Sequence, residues 1–288
     1  MSETVAAGAP ANPASTFVAK TDILERTRLI PQMNQELAKD EPTFDDVLAQ
    51  LRRDEGLAAR VLAIANSAWF AGRLKVDTLE VAFGRMGSQD FYRAVLAAVL
   101  RGNLGEGTEQ NRWWQHADVT SGCCQMAAQL VAEPLLEKAW LTGLLHDCAV
   151  PLMARTVPDY SYLCEEALTY SPTIVATEQD CNQLDHCEVG AALLAAWRFP
   201  ASFATAVRRH HTTLLAPVPD DEGVQLLALL LLAKRVCDPR ELDKPVFAER
   251  DEAILLGDIA TTLGLHPDRM REAVAELRRL YRLRLKHA

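Results

Sequence analysis

The chain reads as an all-α protein, a multi-helix bundle. Apolar residues recur at three- and four-residue spacing along most of its length, and no convincing run of strand length alternates polar with apolar residues. Prolines, glycines and capping residues punctuate the periodic stretches, which separates them into individual helices.

Thr43, with Asp46 three residues on, predicts a capped helix start, and Val47, Leu48 and Leu51 make its apolar side. Gly56 precedes a second stripe of Leu57, Val61, Ile64, Ala65 and Ala68. A third apolar run follows Asp90, with Phe91, Val95, Leu96, Val99 and Leu100. Helices are then expected at Trp113 to Leu130 and at Leu135 to Val150, with Pro158 and Pro172 punctuating what comes next. Gly190 to Trp197 ends before Pro200, as a helix should when the residue preceding a proline leaves the helical region. Ala201 to His211 and Val224 to Cys237 follow. The stretch Pro239 to Arg250 is polar, holds Pro245 as well, and reads as a connector. Two last helices are expected at Asp251 to Leu263 and Pro267 to Leu285, with Gly264 as the C-cap and Pro267 as a favourable first residue.

Composition excludes several classes. Hydrophobic residues make up 49% of 288, an ordinary globular balance, and the length allows one large helical unit or two packed lobes. Thirty basic against 39 acidic side chains give a net charge of −9, so nucleic acid is not an expected partner and neither is an anionic membrane. Seven cysteines, with no CxxC spacing, match neither a disulfide scaffold nor a zinc ribbon and suit a reducing cytoplasm. No signal peptide is read at the start, and the longest apolar block, Leu226 to Ala233, is too short to span a bilayer. Residues 1–15 are rich in alanine, proline, serine and glycine without periodicity, which predicts a disordered leader, drawn to residue 21. Beyond it the expected division is a helical domain at 22–238, with lobes at 22–110 and 111–238 as the alternative, and a helical appendage at 239–288.

Histidine placement carries the chemistry. His146 and Asp147 are adjacent at the end of an apolar run, His116 lies on the preceding helix, and His186, His210 and His211 come later. Imidazole and carboxylate together suit a first-row divalent ion, which would lower the pKa of bound water and make a nucleophile for phosphoester hydrolysis. The competing reading is a hydrogen-bonded His–Asp pair that ties two helices together, with His116 as a partner for His146. On that reading one of His210 and His211 faces solvent, and His186 marks a helix start between Asp185 and Glu188. Trp113, Trp114 and Trp197 are expected to fill gaps between helices, and Cys123 and Cys124 to be buried, inert thiols. The last helix carries Arg278, Arg279, Arg282, Arg284 and Lys286, expected to be a solvated face or, alternatively, a basic surface for a partner.

The order His, His-Asp, His, His-His resembles the HD superfamily of metal-dependent phosphohydrolases, and several segments resemble the HDOD family within it. Asn66-Ser67-Ala68 is similar to the "NSA" that ends a family helix, and Gly143-Leu144-Leu145-His146-Asp147 to "GLLHD". Asp185-His186-Cys187-Glu188-Val189-Gly190-Ala191-Ala192-Leu193-Leu194 is similar to "dHaevGaaLL". Trp197-Arg198-Phe199-Pro200 and His210-His211 are similar to the "Wrl-P" and "HH" elements. The resemblance covers roughly residues 22–238 and implies a helical module of bacterial signalling proteins, response regulators among them, mostly without hydrolase activity. Hydrolases of the superfamily place a last aspartate ligand about where this chain has Ala233-Lys234. HD-GYP relatives also follow the dyad with Gly-Lys, here Cys148-Ala149-Val150, and the "GYP" element is absent after His211, where Thr212-Thr213-Leu214 stand.

The expectation is therefore a non-catalytic signalling module that contacts other signalling proteins, with no catalytic residue and no cofactor. The alternative is a divergent phosphohydrolase of cyclic dinucleotides or nucleotides. There a divalent metal ion is held by His116, His146, Asp147 and Asp238, one helical turn beyond Lys234, with His186, His210 and His211 nearby. A nucleotide-sensing pocket without hydrolysis is the third reading.

Overall fold

A computed structural model describes residues 12–40, 42–66, 76–104, 108–167, 173–218, 221–237 and 250–287. Sixteen α-helices and one 3-10 turn occur among the described residues, and no strand does. The all-α expectation is what the structure shows. None of these helices is long and apolar enough to cross a membrane.

The chain divides into two compact units, one of Asp22–Trp114 with Ala196–Phe199, the other of Met1–Thr21, Gln115–Ala195 and Pro200–Ala288. The leader drawn to residue 21 needs correction from residue 12 onward, while residues 1–11 lie outside the described residues. Pro13–Lys20 is helix α1, because Asn12 accepts from the Ala14 N–H, Pro13 occupies the first turn, and Ala14 and Val18 are buried.

The smaller unit holds α2 (Ile23–Arg26), α3 (Leu29–Leu37), α4 (Asp45–Leu51), α5 (Glu55–Ala65) and α6 (Leu79–Leu104). Thr43 does not cap α4. Phe44 takes that place in the left-handed region at φ 58°, and the Thr43 N–H donates to Glu36 Oε1 instead. What fixes this start is packing: Phe44 is buried against Phe83 and Phe91, with ring centroids 5.6 and 6.4 Å away. Asp54 starts α5 by accepting from the Leu57 N–H. Ala68 and the Ser67-Ala68 end of the Asn66 motif lie outside the described residues, but Asn66 itself bonds both the N–H and the carbonyl of Val76. Helix α6 breaks at Gly87, where φ is 74°.

The return segment 196–199 is pinned inside this unit by a run of hydrogen bonds. Trp197 Nε1 donates to Thr27 Oγ1 at 2.8 Å, Asn34 Nδ2 donates to the Trp197 carbonyl at 2.8 Å, and Tyr92 Oη donates to Asn34 Oδ1 at 2.7 Å. Trp113 and Trp114 are buried, as expected for gap-filling rings.

Helix α7 (Thr108–Val131) leads into the larger unit, followed by a 3-10 turn at Glu133–Leu135, α8 (Leu136–Leu145) and α9 (Val150–Thr156). The helix expected from Leu135 to Val150 instead ends at Leu145, a turn occupies 146–149, and α9, which the sequence reading did not mark, begins at Val150. Pro151 explains the break: it has no N–H to continue α8, yet suits the first turn of α9. Two helices unmarked in the sequence reading follow, α10 (Ser161–Ala167) and α11 (Ile174–Asn182), then α12 (His186–Ala196), α13 (Ala201–Arg208) and α14 (Glu222–Val236). The last two are α15 (Arg250–Thr262) and α16 (Pro267–His287), separated by Gly264 at φ 65° as the C-cap expectation requires.

Helix α14 is apolar on all sides and buried throughout Leu226–Lys234, the pattern of a central helix. Cys123, Cys124, Leu256, Ile259, Val274, Leu277 and Tyr281 share its core, so the C-terminal helices are built into this unit. Most exposed arginines of α16 sit beside acids three residues away, Arg271 with Asp268, Arg269 with Glu272 and Arg279 with Glu276.

Candidate functional site

The larger unit brings six of the sequence-predicted residues together. His116 comes from α7, His146 and Asp147 from the turn after α8, His186 from the first residue of α12, and His210 and His211 from the turn after α13. Asp238 lies outside the described residues. The expectation that one of His210 and His211 faces solvent is corrected: both are buried, since α13 stops at Arg208 and turns them inward. His186 does start a helix, with Asp185 Oδ1 accepting from the Glu188 N–H, and it also points into the cluster.

Close packing makes the arrangement possible. A Cβ on Gly143 would lie 2.6 Å from Ser121 Cα, so α8 approaches α7 at a distance that only glycine allows. That approach seats His146 beside His116, with Nε2 atoms 3.2 Å apart.

Hydrogen bonds fix three of the rings. His146 Nδ1 donates to the Gly143 carbonyl at 2.8 Å, His210 Nδ1 to the Val207 carbonyl at 2.6 Å, and His186 Nδ1 to Glu178 Oε2 at 2.7 Å. All three partners are acceptors, so each Nδ1 carries the proton and Nε2 turns inward. The inward atoms converge on one carboxylate. Asp147 Oδ2 is 2.9 Å from His146 Nε2 and 3.4 Å from His116 Nε2, and Oδ1 is 2.9 Å from His210 Nε2 and 3.6 Å from His186 Nε2.

Charge follows from burial. Burial, reinforced by the Lys234 ammonium, holds His146 down to about 4 and His210 to about 3. His211 is depressed as well, by burial and then by His210 and Lys234. Burial works against ionising Asp147, but the positive charge of His146 and Lys234 overcomes it and holds the carboxyl well below its usual range. His146 is itself kept neutral, so the positive charge beside the carboxylate comes from Lys234, whose Nζ is buried, and from His186, which is raised well above its usual value. Burial also opposes charging His186, and Cys187 with Glu178 more than offsets it.

Two residues of the site were missed in the sequence. Glu178 is fully buried and accepts from the His186 N–H, from His186 Nδ1 and from Tyr160 Oη. It sits on α11, a helix whose weak amphipathic pattern gave no signal. Cys187 places Sγ 3.6 Å from His186 Nε2 and 3.6 Å from His210 Nδ1; its adjacency to His186 was the available clue.

Two donor sets are of metal-ligating type, His116 with His146 and Asp147, and His186 with Cys187, His210 and His211. The first fits a first-row dication by donor type, but Asp147 is the set's one anion and Lys234 opposes it, so a hard ion there leaves buried positive charge uncompensated.

An all-α fold with a His–Asp dyad in a helix-ending turn, ringed by further histidines, defines an HD-like helical domain. The chain belongs to the HDOD family, whose model, the HDOD domain, matches residues 26–213. Its fold is similar to that of a candidate phosphohydrolase from Shewanella amazonensis SB2B, at TM-score 0.66 and 22% identity over 94% of this chain and 95% of that one. It is also similar to that of a candidate signal transduction protein from Marinobacter aquaeolei VT8, at TM-score 0.65 and 20% identity over 95% of this chain and 60% of that one. An uncharacterized protein of Treponema pallidum (strain Nichols) is 24% identical over 208 residues, 68% of this chain, and the chain spans about 40% of that relative's length.

Proposed function

We propose that the protein is a non-hydrolytic regulatory module that passes a state to other signalling proteins through its helical surface. The observation that carries this reading is the buried ammonium of Lys234, whose charge bears on Asp147, His146, His210 and His211. An ammonium at that place supplies the positive charge that the inward nitrogens and the carboxylate need, and it does so without activating a water. The histidine cluster then braces the turns after α8 and α13 and the start of α12 against one another. The signal transduction name of the Marinobacter protein is in keeping with this role.

A divergent phosphohydrolase is the second reading, favoured by the three donors of His116, His146 and Asp147, which lie within 4.8 Å of one another, and by the name of the Shewanella protein. An assay separates the two. Purified protein supplied with Mg²⁺ or Mn²⁺ is expected to leave cyclic dinucleotides and nucleotides intact. A metal-dependent rate that His146→Ala abolishes overturns the regulatory reading.

A further inference from the structure

We propose that the segment 196–199 is a tether whose anchorage in the smaller unit keeps the histidine-bearing ends of α12 and α13 in order. That the tether relays a signalling state rests on the reading above; the mechanical coupling itself does not.

The path of the chain builds the link. Helices α12 and α13 belong to the larger unit, yet Ala196–Phe199, at their junction, falls in the smaller one. His186 opens α12, and His210 and His211 follow α13, so these histidines lie at the ends of the two helices opposite the tether. There the helices meet again. Arg208 Nε donates to Glu188 Oε1 at 2.9 Å, a Cβ on Gly190 would lie 3.0 Å from Val207 Cγ1, and His186 Nε2 is 3.3 Å from His210 Nε2. The 11 residues of α12 make a rod of about 16 Å between the two ends. Rigid elements of this kind carry coupling between distant groups.

The anchor itself is specific. Trp197 and Phe199 are buried, while Arg198 between them is exposed. Thr27 at the end of α2 accepts from the Trp197 indole, and Asn34 on α3, steadied by Tyr92 on α6, donates to the Trp197 carbonyl. Thr27 Oγ1 is fixed in turn by donating to the Ile23 carbonyl at 2.6 Å. Arg198 takes φ 62°, in the left-handed region that disfavours any residue with a Cβ. Strain of this sort persists only where the surroundings over-determine it, and here the two buried rings do so. With the anchor open, nothing holds Arg198 there, and its relaxation reorients the residues where α12 ends and α13 begins.

Solvent exchange of the imidazole N–H protons, read by NMR in the full chain, is the test. His186, His210 and His146 each carry an Nδ1 proton on an acceptor, but only the first two are attached to the tethered helices. His146 follows α8 and is the internal reference. Thr27→Val keeps the side-chain volume and removes the acceptor of Trp197 Nε1, which leaves that donor buried without a partner. The His186 and His210 protons are then expected to exchange on the order of tenfold faster, with His146 as in the wild type. Asn34→Ala, which removes the bond to the Trp197 carbonyl, should give the same pattern and decides the matter if Thr27→Val fails to fold. Equal acceleration at all three histidines, or none at His186 and His210, overturns the proposal. Metal-dependent phosphoester hydrolysis by the wild-type protein would instead overturn the regulatory reading and leave the coupling standing.

Discussion

Histidines 146, 210 and 211 are each kept neutral by burial, and this makes stability depend on pH in a definite direction. An unfolded chain protonates all three below the ordinary imidazole value of 6.5, whereas the folded protein holds His146 to about 4 and His210 to about 3. The unfolded state therefore takes up more protons in this range, and stability falls as pH drops from 6.5 towards 4. The slope is about 1.4 kcal/mol per pH unit for each histidine kept neutral. His186, raised well above its usual value, has the opposite sign, and its contribution is lost only as pH climbs through that raised value. Denaturant midpoints at successive pH values from 7 to 4 check the prediction, and a flat profile would contradict it. Asp147 adds a loss at lower pH, since its depressed carboxyl stabilises the fold above the usual carboxylate range.

At the scale of elements, the site depends on where helices stop. Pro151 ends α8 and Arg208 ends α13, and each stop turns a histidine inward beside the carboxylate. Gly143 then lets α8 press against α7, with Ser121 Cα 2.6 Å and Thr120 O 2.9 Å from the position of an added Cβ. Both obstacles are backbone, so they cannot rotate aside. Gly143→Ala is expected to destabilise the protein by about 1–3 kcal/mol, as overpacking does, and to separate His116 from His146. Chemical denaturation reads the first effect; an unchanged midpoint would mean the helices can slide apart freely. Such contacts explain why helix boundaries were harder to read than helix existence. Apolar spacing located the helices from α4 to α8 and from α12 to α16, whereas the short α2, α3 and α9 were not read, and α10 and α11 lie between prolines with too little amphipathic contrast to stand out.

For the molecule as a whole, charge is the quantity that reaches furthest. The formal net charge is −9, and the arginines Arg269, Arg271 and Arg279 of α16 lie against their own acids. Paired in this way they offer little field to a phosphate backbone. Fluorescence anisotropy with duplex DNA at about 0.15 M salt is expected to show no binding, and a salt-dependent association would favour the alternative expectation, a basic surface formed by Arg278, Arg279, Arg282, Arg284 and Lys286.

The all-α class, most of the helices and the histidines that matter were determined by sequence, because helical spacing and titratable side chains are local properties of the chain. His116, His146 and Asp147 could be grouped before any coordinates through their similarity to a family. The inward turn of His210 and His211, the acceptor that fixes His186, and the approach of the Cys187 thiol to two imidazoles were decided only by tertiary structure. Each depends on a partner brought from a distance, Glu178 on α11 for His186 and the burial of two turns for His210 and His211. Lys234 shows the division within one residue: its position on the last turn of α14 is read directly, while the reach of its charge depends on which buried groups the packing of other helices sets around it.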